Sequence, residues 1–277
     1  MSQTVTPDPL NALTEQAATR IARHVGALQR RYPTALRTLT IMAADRDHPS
    51  GPAWPDWCWL PMGAAVALVQ RHGRDLSAVG DVARVAAVAQ WELLGRHVVT
   101  PSADVASAAV PAPPSTRPQD ANLPLSRQRL LDVLGGACYY LVTPVANDDD
   151  VPNWVYGTYL HLEHDTATGR MELRFLVDLG PGWNELVPVV VHADQPTVAW
   201  SEQDIRASIP PHRAGPATDR FLAQQRALGW LVWPLLGTLL DESARLIGPG
   251  RLVDPDPLVK DASLWRLSFE RPHPSSA

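Results

Sequence analysis

The segment His161-Leu162-Glu163-His164-Asp165 places two imidazoles and two carboxylates within five residues. Side chains alternate along a strand, so His161, Glu163 and Asp165 would share one face. His192 and Asp194 could converge on them from a neighbouring strand. Imidazoles and carboxylates grouped in this way can hold Zn2+ or Mn2+ and activate water, the chemistry of a metal-dependent hydrolase or nuclease. The competing reading is the polar face and turn of a hairpin, where His, Glu and Asp are ordinary. The run Asp148-Asp149-Asp150 offers oxygens for a hard cation but lacks a ligand spacing, and reads as a solvated loop. The sequence contains no Gly-rich phosphate loop followed by Lys, no Gly-x-Ser-x-Gly elbow and no His-Glu-x-x-His helix.

A second set of residues suits binding rather than catalysis. Trp54, Trp57 and Trp59 fall within six positions of a proline-punctuated turn, and they form either a core corner or an aromatic anchor for a protein partner. Arg20, Arg23, Arg30 and Arg31 lie on the polar side of a helix, a solvated face or a contact for an acidic partner or RNA.

The elements that must carry these groups follow from periodicity. Asp8-Pro9 starts a helix whose apolar stripe runs through Leu13, Ala17, Ile21, Val25 and Leu28 to Tyr32-Pro33. A small-residue helix follows Pro61-Met62, and another runs from about Ser77 to Gly95. Residues 101–124 are rich in Pro, Ala, Ser and Thr and read as a linker. Beyond it, Ala137–Thr143, Trp154–Leu162, Arg170–Asp178 and Leu186–His192 read as antiparallel strands, with Thr197–Trp200 as a further one. A long apolar helix from Thr218-Asp219 is expected to kink at Pro234 and end at Gly248-Pro249-Gly250, before a last strand at Leu264–Phe269. The expected fold class is therefore α+β: a helical part at 1–100, the linker, and an antiparallel sheet with a C-terminal helix packed on it at 125–277.

Composition narrows the function. With 24 Lys+Arg against 29 Asp+Glu the formal charge is −5, which excludes a uniformly basic nucleic-acid coat but leaves room for a local basic face. Met1–Leu10 has neither the charged opening nor the apolar stretch of a secretory signal, so a cytoplasmic address is expected. The longest apolar run, Leu228–Leu240, is shorter than the roughly 20 residues that span a bilayer and reads as a core helix. Cys58 and Cys138 read as buried free thiols.

The order of several short motifs resembles the second type V-A anti-CRISPR protein family. Pro61-Met62 opens a small-residue helix after an aromatic stretch. Cys138-Tyr139-Tyr140 follows, then a hairpin with Gly157, Tyr159 and Phe175-Leu176-Val177-Asp178, a Leu-rich helix at Leu231–Leu236, and Arg271-Pro272-His273. Two departures stand out. The Leu-Pro-acid-Trp-Cys strand start of the family is here Leu134-Gly-Gly-Ala137-Cys138, while a Pro-Asp-Trp-Cys string sits earlier, at Pro55–Cys58. The basic tail that the family carries after Arg-Pro-His is missing before Ala277, so any RNA or ribosome contact made by that tail is expected to be lost or delegated. The resemblance implies a mobile-element inhibitor of bacterial immunity. It would be an adaptor without catalytic residues or cofactor, which recognises the type V-A effector as a nascent chain and brings about loss of its message. The three tryptophans and four arginines are the expected contacts; a structural module of a mobile-element complex is the further alternative.

Overall fold

The computed structural model describes residues 9–47, 53–73, 79–108, 125–143, 155–195, 197–209, 215–251 and 257–269. The Asp148–Asp150 run, most of the linker and Arg271–His273 lie outside them.

Helix α1 (Pro9–Arg31) buries Ala17, Ile21, Val25 and Leu28, the stripe that periodicity places on one side. Short α2 (Ala35–Ala44) and α3 (Met62–Arg71) follow, then α4 (Val79–Leu93) and, after the first strand, the short α5 (Ala103–Ala108). Residues 85–91 of α4 are buried without interruption, so over these two turns the helix lies within the core rather than on it.

The sheet orders itself as β5-β4-β3-β2-β1-β7-β6. Its strands are β1 (His97–Pro101), β2 (Cys138–Val142), β3 (Gly157–Asp165), β4 (Arg170–Asp178), β5 (Leu186–His192), β6 (Ala244–Arg251) and β7 (Ser263–Phe269). From β2 to β5 it is the antiparallel meander that the alternating sequence predicts. The sheet goes further than that meander, because β1 inserts parallel to both β2 and β7, which makes it mixed within an α+β fold. One face packs on α1, α3 and α4 through Cys138, Tyr140, Tyr159 and Leu176. The other carries Leu160, Leu173 and Phe175 against α6 (Arg127–Leu134) and α8 (Pro216–Leu240). There Phe175 meets Trp233 edge-on at 5.2 Å.

Two expectations change. Thr197–Trp200 does not add a strand, since α7 (Val198–Ser208) begins there. The outer edge of β5 is already satisfied by side chains: Ser201 Oγ accepts from the His192 N–H at 2.7 Å, Gln225 Oε1 accepts from the Val190 N–H at 3.2 Å, and Gln225 Nε2 donates to the Pro188 carbonyl at 2.5 Å. Helix α8 ends at Leu240, where the Asp241 N–H closes on the Thr238 carbonyl. Gly248-Pro249-Gly250 instead sits in β6, at a shift of register against β7. Pro234 lies within α8, and the helix continues through it to Leu240.

Candidate functional site

The residues singled out for chemistry gather on the α1-facing side of the sheet, joined by partners that sequence alone did not supply. His161 and Glu163, on β3, are almost fully buried, with His161 Nε2 3.8 Å from Glu163 Oε2. Register sets Arg174 opposite His161 and Glu172 opposite Glu163. The Arg174 guanidinium consequently lies between two carboxylates, 3.5 Å from Glu163 and hydrogen-bonded to Glu172. Burial raises the Glu172 pKa although Arg174 opposes the shift. The chain of charge then crosses to β5, where His192 stands 3.7 Å from Glu172 and its Nδ1 lies 2.8 Å from Asp204 of α7. The hydrogen bond to His192, with those from Arg170, lowers the Asp204 pKa. Arg170 also grips Asp194 with two N–H groups at 2.8 and 3.0 Å. Asp165 turns away to accept from the Ala167 N–H and the Thr168 hydroxyl at the hairpin tip.

Four of the five, His161, Glu163, His192 and Asp194, thus belong to one salt-bridge row in which Arg174, Glu172 and Arg170 are interposed, Glu172 standing directly between Glu163 and His192, while Asp165 is engaged at the hairpin tip. Among the described residues no three of His, Cys, Asp and Glu are grouped so that they could hold a metal ion. Arg170, Glu172 and Arg174 were within reach of a sequence argument, because pairing around the 165–170 turn puts them on the same face as Glu163.

The tryptophans lie at the end of the sheet. All three are half-buried; Trp54 and Trp59 pack toward the helical side and Trp57 toward α8. Arg46 holds the loop from below, donating to the Cys58 carbonyl at 2.6 Å and the Trp59 carbonyl at 3.2 Å, with Asp56 3.5 Å away. The Trp57 carbonyl accepts from the Gly136 N–H at 2.9 Å, and its ring meets His164 edge-on at 6.0 Å. The Pro55–Cys58 string therefore lies in space beside the Gly135-Gly136 strand start from which that string is missing in sequence. Burial pushes the Cys58 thiol up to about 12 and that of Cys138 further, so both stay protonated.

The arginines of α1 part company. Arg23 and Arg30 are exposed and Arg31 is half-exposed, whereas Arg20 is buried and clamps Asp178 at the end of β4, with Nε 2.8 Å from Oδ2. Asp178, fully buried, also accepts from the Tyr140 hydroxyl at 2.8 Å and the Gly180 N–H at 3.2 Å. The Arg20 guanidinium stacks on the Tyr156 ring at 3.6 Å, and His24 Nδ1 meets the Tyr159 hydroxyl at 3.0 Å. Burial resists the Arg20 charge, but Asp178 outweighs it and raises the Arg20 pKa. Burial, partly opposed by Asp178 and aided by Arg20, lowers His24 to about 4, so the ring is neutral at pH 7. Gly157 makes room, because a Cβ there would stand 2.5 Å from the Tyr140 ring.

Set against solved structures, the chain matches the crystal structure of AcrVA2 with a TM-score of 0.57 and 14% sequence identity, over 90% of this chain and 84% of that one. The resemblance to AcrVA2 is distant and runs through the whole fold. No family model and no curated protein matches the sequence. The motifs that suggested this resemblance from sequence, Cys138-x-Tyr140, Gly157-x-Tyr159 and the acidic end at Asp178, are neighbours in one network beneath α1. Their shared position is what seats α1 on the sheet. Among the described residues, no helix is long and apolar enough to cross a membrane.

Proposed function

We propose that the protein is an anti-CRISPR-like inhibitor, an adaptor carried by a mobile genetic element that binds the type V-A CRISPR effector while it is being translated and lowers its expression. The observation that supports this reading is the correspondence of fold with AcrVA2 over 90% of the chain. The tryptophan loop is the contact assigned to the effector. Trp54 and Trp59 are only partly buried, Arg46 bonds the Cys58 and Trp59 carbonyls and Trp54 donates to the Trp59 carbonyl, and aromatic side chains so held dominate binding energy at protein interfaces. The role needs no cofactor and no catalytic residue, and its place of action is the cytoplasm, where the effector is made.

Co-expression with a type V-A effector tests the reading, with effector protein, effector message and captured complexes measured together. The expected result is a fall in both protein and message and recovery of the effector on the tagged chain. The doubly substituted Trp54→Ala, Trp59→Ala protein, checked for folding by circular dichroism, should lose capture. Unchanged effector levels beside a folded, well-expressed chain would overturn the proposal. A fall in activity without a fall in message would keep the inhibitor and discard the coupling to translation.

A further inference from the structure

The outward face of α1 is polar over most of its length: Gln16, Thr19, Arg23, Gln29 and Arg30 are exposed, and Glu15 is the one acid in the helix. Arg23 and Arg30 stand two turns apart, about 10 Å, on the same side. Gly26 lies between them, and the Arg30 guanidinium folds back over it, since a Cβ at 26 would stand 3.1 Å from Nη1. That Cβ would also meet Leu258 at 3.5 Å, which sets exposed Lys260, the chain's only lysine, at the flank of the helix. Just past the end of α1, Tyr32 touches His72 edge-on at 5.3 Å, which brings the end of α3 and its exposed Arg71 toward Arg31. Arg37 is exposed near the start of α2. None of these six cations has a carboxylate partner among the described residues, whereas Arg20, Arg84, Arg96, Arg170, Arg174 and Arg226 all do. In a chain of net charge −5 this is a concentrated local surplus.

We infer that this face binds the phosphodiester backbone of RNA without reading its sequence. Guanidinium groups pair with phosphate oxygens through two parallel N–H bonds, and phosphate contacts alone carry no base information. Protein interfaces centre on clustered apolar or aromatic side chains, and the outward face of α1 offers none, the exposed Ile41 of α2 being a single such side chain one turn from Arg37. Interfaces with nucleic acid are polar and strongly positive, as this one is. The inference adds an RNA contact to the protein-binding role proposed above and is measured without any effector, so its failure leaves that role standing.

The test is fluorescence anisotropy of a labelled oligouridine titrated with the full chain at about 50 mM and about 200 mM salt. Three to five neutralised phosphates on a single strand give a slope near −0.7 per phosphate, so affinity should fall roughly 20- to 130-fold across that range. Arg23→Glu, Arg30→Glu and Arg71→Glu together should weaken binding at least about tenfold at the lower salt. Arg127→Glu, Arg220→Glu and Arg266→Glu together make the same charge change at exposed arginines elsewhere, and should stay within roughly threefold of the parent. If the first triple variant fails to fold, Arg23→Gln alone should reduce the salt slope by about 0.7. Absence of binding at the lower salt, equal loss in the two triple variants, or an unchanged slope in Arg23→Gln would overturn the inference. Polyglutamate binding as tightly as oligouridine would also overturn it and assign the face to an acidic polypeptide.

Discussion

Arg20 holds Asp178 and Arg170 holds Asp194 through the same two guanidinium atoms, Nε and Nη2, yet the first carboxylate is completely buried and the second keeps 33% of its side chain in water. Both pairs belong to the same side of the sheet. What separates them is the roof. Helix α1 closes over Asp178 and supplies Arg20 and His24, while Asp194 lies past the end of β5, beside Asp204 of α7, which shares Arg170 with it. The same pairing of atoms is thus a structural commitment in one place and a weak surface tie in the other, because water has been removed from only one of them.

The strongest way to break this contrast is Asp178→Ala. It strands the Arg20 charge and removes the acceptor of the Tyr140 hydroxyl, and should cost about 3–5 kcal/mol of unfolding free energy in a urea titration. A pH series comes next. His24 titrates near 6.5 when unfolded and at about 4 when folded, so between those values the unfolded chain binds more protons. The stability it contributes is complete above about pH 6.5 and is lost progressively as pH falls toward 4, by about 3 kcal/mol in total. In His24→Gln this part of the pH dependence should vanish. A pH profile parallel to the parent's would show that the ring takes up its proton under α1 as readily as in the unfolded chain. Gly157→Ala presses a methyl against the Tyr140 ring and should lower stability by about 1–3 kcal/mol, visible as a lower thermal midpoint with the same circular dichroism. Asp194→Ala should cost less than about 1 kcal/mol, and that cost should shrink in high salt. A loss comparable to that of Asp178→Ala would mean that the two pairs are not different in kind.

How far the sequence carried varies by element in a physical way. The stripe of α1, the hairpin of β3 and β4 and the apolar core of α8 were legible because their periodicity is local. Strand β1 was not, since five residues, His97 to Pro101, are too few to show a pattern and take their identity from β2 and β7. Strand β6 was hidden by Gly248-Pro249-Gly250, which reads as a terminator and serves as an irregularity of register. His161 and Glu163 share the face that alternation gives them, but the Arg174 guanidinium between Glu163 and Glu172, and the place of Glu172 between Glu163 and His192, depend on strand pairing. Arg20 was the least legible of all: helical spacing puts it near the solvated side with Arg23, and only a carboxylate 158 residues away explains its burial.

Strand β1 has a bearing on the timing of synthesis. Its two neighbours in the sheet begin at Cys138 and Ser263, so its hydrogen-bonding edges are filled at very different moments as the chain leaves the ribosome. At roughly 5–20 residues per second, about 8–32 s separate the appearance of Pro101 from that of Ser263. Throughout that interval one side of β1 waits for its partner, and the core on both faces of the sheet stays incomplete. The finished sheet, and any binding surface that depends on it, therefore forms only after β7 has been made.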